Sequence, residues 1–338
     1  MNKLTLFAGA SAVIALVGFA TAACGGDSGA TLTVYSGRSE SLVRPLLERF
    51  SDETGIDVKV RYAGTAELAS TILEEGDNSP ADVFFAQDAG ALGALAGEGR
   101  LVELPDSILD LVDARFRSDD GRWVGVSGRA RVVVYNTENV DPATLPDSIL
   151  DFTDAKWKGR IGWAPTNGSF QAFVTALRLT QGEDGARAWL EGIRANNPVS
   201  FDGNLPALEA VASGEIDVAF INHYYLYQLR SETGGNVDAA NHFLKSGDPG
   251  ALVNVAGAAI LDTSDSSEEA QRFVEWLLSG ESQQYFAAET HEYPIIEGVP
   301  AEEDLVSLDQ IQTPRIDLSD LNDLEGTLEL LRETGVLP

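Results

Sequence analysis

Residues 31–62 read TLTVYSGRSESLVRPLLERFSDETGIDVKVRY. The opening run Thr31-Leu32-Thr33-Val34-Tyr35 is β-branched and aromatic, as strands are, and the polar turn Ser36-Gly37-Arg38-Ser39 ends it. Leu42, Val43, Leu46, Leu47 and Phe50 then share one face at helical spacing, with a stop at Thr54-Gly55. Pro45 is placed near the first turn, where its missing N–H costs little. Residues 56–62 alternate as a second strand, 67–75 give a helix ended by Gly76, and 81–85 form an apolar third strand leading to Ala86-Gln87-Asp88. Strands and helices in alternation imply a parallel sheet flanked by helices, an α/β fold.

The alternation changes character at residues 121–135, where 123–126 and 131–135 read as strands crossing between two lobes. A second α/β unit follows. It has a strand at 161–163, a helix opened by Pro165-Thr166-Asn167-Gly168-Ser169 and running to 179, and helices at 186–194 and 205–213. Residues 254–260 form a small-residue strand returning to the first lobe, and helices follow at 267–278, 281–288 and 321–334. The expected architecture is a bilobal, periplasmic-binding-protein-like clamp whose two α/β lobes are joined by two hinge strands. Residues 31–130 and 256–338 make lobe 1, and residues 131–255 make lobe 2.

The chain has 338 residues, 53 of them acidic against 23 basic, for a formal charge of −30. That argues against nucleic acid or an anionic membrane surface as electrostatic partners. Residues 1–23 read as a signal peptide, with Lys3 in the basic region and an apolar stretch ending in Thr21-Ala22-Ala23. Cys24, the only cysteine, cannot form an internal disulfide and resembles the lipid acceptor of bacterial lipoproteins, with 24–30 as tether. The expected location is extracytoplasmic, lipid-anchored on the outer face of the cell membrane.

Residues 215–221 form an apolar strand, and Asn222-His223-Tyr224-Tyr225 follows where it hands over to a helix stopped by Gly234-Gly235. Ligands bind at such strand ends in open α/β sheets. A phenol ionises only near pH 10 unless something strongly positive stands beside it, so two adjacent phenols suit a hard, highly charged cation. Ser36 to Ser39, Gln87-Asp88, Thr166 to Ser169, Asn204 and Asn222 fall at other strand ends or helix starts around the same cleft. Each alone is an ordinary helix cap; together, with exposed amides at helix N-termini, they suit an anion. The three histidines stand apart from any Ser/Asp partner at motif spacing, no P-loop occurs, and no Cys or His cluster suggests zinc, so an enzyme is not expected.

Thr33 to Arg38, Ser79-Pro80-Ala81-Asp82-Val83-Phe84, Arg129-Ala130-Arg131-Val132-Val133-Val134-Tyr135-Asn136, Asn222 to Tyr225 and Leu321-Asn322-Asp323-Leu324 resemble the bacterial periplasmic ferric-ion-binding proteins. Those are the substrate-binding components of Fe3+ ABC importers, and the resemblance covers nearly all of the chain beyond the leader. It implies a transferrin-like clamp in which Tyr224 and Tyr225 supply phenolates to Fe3+, acting as a monomer with a membrane permease and its ATPase. It also implies a synergistic phosphate or carbonate held by Asn167, Gly168, Ser169, Asn204 and Asn222. Arg38 matches an arginine that holds the anion in some branches. The best-known branch carries His where Ser39 stands and Glu where Gln87 stands, so Gln87, Tyr35 and Tyr135 become candidates for further donors. The alternative is the same clamp around chelated iron or an organic or oxyanion solute such as a phosphonate, a polyamine or thiamine, with Trp123, Trp163 and Tyr293 available for stacking.

Overall fold

A computed structural model describes residues 29–245, 247–301 and 305–338. The signal peptide, Cys24 and most of the tether lie outside the described residues. Strand β1 (Thr31–Ser36) pairs in parallel with β2 (Asp57–Tyr62) and β3 (Val83–Ala86). Next come β4 (Val124–Asn136), β5 (Ile161–Trp163), β6 (Val199–Ser200), β7 (Val218–Asn222), β8 (Ala239–His242) and β9 (Val253–Ile260). The strands run in the order β2-β1-β3-β9-β4-β7-β5-β6, and β8 also pairs with β4.

The two crossing strands expected at 123–126 and 131–135 are one strand, β4, bulged between Gly125 and Ser127. Its partner changes within a single residue step. Up to Ala130 it pairs with β9, and from Arg131 it pairs with β7. Thus one buried strand, with no turn residue to break it, belongs to both halves of the bilobal α/β fold.

In chain order the helices are α1 (Glu40–Thr54), α2 (Thr65–Glu75), α3 (Ala89–Gly97), α4 (Asp106–Leu109) and α5 (Gly168–Ala195). They continue as α6 (Asn204–Ala212), α7 (Tyr224–Thr233), α8 (Ser267–Leu277), α9 (Gly280–Glu289) and α10 (Leu324–Glu333). Helix α1 starts earlier than expected, which places Pro45 inside it rather than in its first turn. Gly182, at φ 72°, breaks α5 between the two helices read from the sequence.

Helix α3 is not foreshadowed by an apolar stripe, because it is an Ala/Gly run. Its glycines serve close packing. A Cβ built on Gly93 would lie 2.2 Å from the Ser319 carbonyl oxygen, and one on Gly90 would lie 2.4 Å from that of Leu321. Residues 318–322 therefore lie directly on the α3 backbone. Gly93→Ala is expected to destabilise the protein by about 1–3 kcal/mol through this clash. An unchanged urea midpoint would mean that the segment moves aside freely. Beyond it, α10 packs on α5, where Thr327 Oγ1 meets Thr175 Oγ1 at 2.8 Å and Arg178 binds Asp323 at 2.8 Å. The C-terminal segment so runs from an element of the first half to one of the second.

Behind β7, Val132, Val134, Leu208, Val211, Ile221 and Leu226 form an apolar cluster that fixes the start of α7. Among the described residues no helix is long and apolar enough to cross a membrane.

Candidate metal and anion site

Along a strand, alternate residues share a face. Arg129 and Arg131 on β4 therefore point the same way, into a cavity of about 160 Å³. Tyr224 and Tyr225 line it from the start of α7, Asn167, Gly168 and Ser169 from the start of α5, and Gln87 and Asp88 from the loop between β3 and α3. The two phenol rings stack, with centroids 4.3 Å apart and planes at 26°. Tyr224 is buried, and its proton is held well above the ordinary phenol range, first by burial and then by Tyr225; Arg129 acts in the opposite sense. Tyr224 thus enters the cavity neutral, which avoids the cost of burying a bare phenolate.

Arg131 donates from Nη1 to Ser169 Oγ and Asn222 Oδ1, both at 3.3 Å, and from Nη2 to the Phe220 carbonyl at 3.0 Å. Burial pushes its pKa down to about 10. Arg129 donates to the Gln87 carbonyl, and its Nε is buried without a partner. Neither arginine forms an ion pair among the described residues. Arg129 acts through space on the Asp88 and Glu292 carboxylates, and a buried guanidinium with no direct ion pair keeps donors available for an anion.

Asn167 caps α5 by accepting from the Ser169 N–H at 3.0 Å and the Ser169 hydroxyl at 2.6 Å. Asn222 is tied to Arg131. Asn204 stands behind Ser169, donating to its Oγ at 3.2 Å, and its buried Oδ1 has no partner. Of the expected anion residues, Asn167, Gly168, Ser169 and Asn222 are brought to the cavity wall, and Asn204 supports them.

Arg38 is not. It lies buried against Glu292, with Nη2 at 3.0 and 2.9 Å from the two carboxylate oxygens, and Ser127 Oγ donates to the same carboxylate at 2.5 Å. Tyr35 is not at the wall either, because its hydroxyl donates to Glu75 at 2.9 Å and Arg61 lies over its ring. Tyr135 pairs with Val218 and Ala240, four residues or ~13 Å along β4 from Arg131. Gln87 is at the wall, its N–H bound to Thr65 Oγ1 at 3.1 Å. Trp123, Trp163 and Tyr293 are buried, with their polar atoms on Ser319, Ser200 and the Val306 carbonyl, and none lines the cavity. Among the described residues that line the cavity, the aromatic side chains are those of the tyrosine pair itself.

His223, between Asn222 and Tyr224, is fully buried. Burial lowers its pKa to about 4, so the imidazole is neutral. Among the described residues no group of three or more His, Cys, Asp and Glu could hold a metal; the acidic oxygens that line the cavity are the two phenols and the Asp88 carboxylate. Reading the sequence for phenols missed the arginines. The available signal was Arg129-Ala130-Arg131, two charges spaced by two in an otherwise apolar strand.

The bacterial extracellular solute-binding protein family model matches residues 78–321. The major ferric iron-binding protein of Neisseria meningitidis serogroup B is 37% identical over 313 residues, covering 91% of this chain and 93% of that one. The Fe(3+)-binding periplasmic protein of Serratia marcescens is 32% identical, covering 95% of each. Among solved structures, iron-bound HitA from Pseudomonas aeruginosa superimposes with a TM-score of 0.83 at 38% identity, over 90% of this chain and 99% of that one. The Trichodesmium protein in complex with iron and citrate gives 0.79 at 30%, again over 90% and 99%.

Proposed function

Since the chain belongs to the bacterial extracellular solute-binding proteins, in their ferric-ion-binding branch, and that family is not one of enzymes, we propose that it captures Fe3+ between its lobes. The observation that carries this reading is the stacked Tyr224–Tyr225 pair facing two buried arginines, neither of which makes a direct ion pair among the described residues. A trication displaces both phenolic protons, and each phenolate cancels one of its charges. With Arg129, Arg131 and Asp88 counted, the loaded cavity keeps two positive charges, which a doubly charged anion neutralises. Phosphate or carbonate fits that requirement, seated between the guanidiniums and the N-terminus of α5 at Gly168.

In this reading the lobes, residues 31–130 with 256–338 and 131–255, close over the ion and exclude water. A permease of an ABC importer, with its ATPase, reopens the clamp and receives the iron. Cys24 anchors the protein as a monomer to the outer face of the membrane, and the anchor keeps it near that permease.

The test is a visible titration of the leader-free protein with ferric ion, with and without phosphate or carbonate. The expected result is a saturable phenolate-to-iron band at a 1:1 ratio that needs the anion for full strength. No band under either condition overturns the reading. Arg131→Gln is expected to lower ferric affinity about 10–100-fold, the scale for groups supporting a metal centre, and to weaken the anion dependence. An Arg131→Gln protein that still responds fully to phosphate would place the anion elsewhere.

A further inference from the structure

His223 does more than fill space beside the tyrosines. Its backbone N–H donates to the Ala130 carbonyl at 2.9 Å, and its Nδ1 accepts from the Ala130 N–H at 3.1 Å. The second ring nitrogen stands 3.0 Å from the His291 carbonyl. Since an N–H occupies Nδ1 and a carbonyl faces Nε2, the ring must carry its proton on Nε2. The ring also lies on Tyr293, centroids 4.6 Å apart, and meets Tyr224 edge-on at 5.8 Å. Tyr293 pairs with Gly128 through two backbone hydrogen bonds, of 2.8 and 2.9 Å. Tyr224 apart, these partners belong to the point where β4 exchanges β9 for β7, or to the segment stitched onto it.

We propose that His223 is a positioning residue for metal capture: its imidazole fixes the Tyr224 phenol to the crossing point of the two lobes. The phenol pair then takes its place from β4 and from residues 291–293 together, and does not drift with α7. As far as metal is concerned, the proposal rests on the ferric reading.

Side-chain geometry offers variants that separate its two bonds. An Asn amide reaches the place of Nδ1 and keeps the bond to Ala130; a Gln amide reaches the place of Nε2 and keeps the bond to His291. His223→Phe keeps a ring and neither bond. Two readouts apply. In the metal-free protein, NMR of 13C-labelled tyrosine reports the Tyr224–Tyr225 stack through its ring shifts. In the ferric protein, the position of the charge-transfer band and the rate of iron release to an excess chelator report the ligand geometry.

His223→Phe is expected to shift or broaden the Tyr224 signal, move the band and speed release about tenfold. His223→Asn and His223→Gln should each recover part of both effects. The proposal is overturned if all three variants fold with wild-type tyrosine spectra and release rates, or if Asn and Gln behave no better than Phe. Should His223→Phe not fold, wild-type behaviour of both amide variants overturns it equally. The metal-free spectra decide the matter even if the wild type shows no ferric band, so the two readings fail separately.

Discussion

Replacing Tyr224 and Tyr225 together by Phe is expected to abolish the ferric band and to lower affinity far more than any other change in the cavity. Each Phe keeps the ring, so the 4.3 Å stack and the packing of α7 persist while both ionisable oxygens are lost. Substituting groups that merely support a metal ligand costs about 10–100-fold, and removing the anionic donors themselves must cost more than that for each phenol. The loaded cavity would also gain two uncompensated positive charges beside Arg129 and Arg131. The single variants should retain weak, colour-shifted complexes, with Tyr224→Phe the poorer if the more buried phenol is the better shielded donor. A double variant that still gave a 1:1 band would remove these phenols from the metal site altogether.

Glu292→Gln is expected to give the largest loss of stability, about 3–5 kcal/mol, because it leaves Arg38 charged and buried without compensation. Burial alone would raise the Glu292 pKa, but Arg38, Arg129 and the Ser127 hydroxyl outweigh it and hold the carboxylate below its usual range. A depressed folded pKa contributes stability that is complete above the unfolded value, ~4.3, and is lost as pH falls through the folded one. The wild type should therefore lose part of its margin below about pH 4, and the gap between it and Glu292→Gln should narrow there. Urea denaturation of the metal-free protein at pH 7 and pH 3 measures both. Equal stabilities at pH 7 would show that Arg38 finds water or another partner.

The fold was largely legible because its strands and helices carry strong periodicity and stop signals, such as Gly55 after α1 and Gly234 after α7, both in the left-handed conformation. Helix α3 escaped notice because Gly90 and Gly93 are chosen for contact with residues 318–322 and not for helix propensity. Strand β8, Ala-Ala-Asn-His, lacks β-branched residues and is a strand only because β4 offers it an edge. That the tyrosine pair and the Asn167-Gly168-Ser169 turn face one cavity was readable from their positions at strand ends and helix starts. Arg38 was expected at the anion pocket; it is engaged by Glu292, a partner 254 residues away that no local pattern announces. Tyr35 and Tyr135 were candidates by residue type, and only their neighbours show where the hydroxyl of one and the backbone of the other are engaged.

Strand β4 makes a ruler of the clamp. Arg129 stands one residue before Ala130, where the strand is still held by β9, and Arg131 one residue after it, where it is held by β7. Any twist at that step alters the spacing between two guanidiniums whose charges repel. In the function proposed above, an anion bridging both arginines would offset that repulsion and hold the spacing. In that function, release of the anion would loosen the hold between the lobes and remove the metal's counter-charge together, giving opening and unloading one trigger.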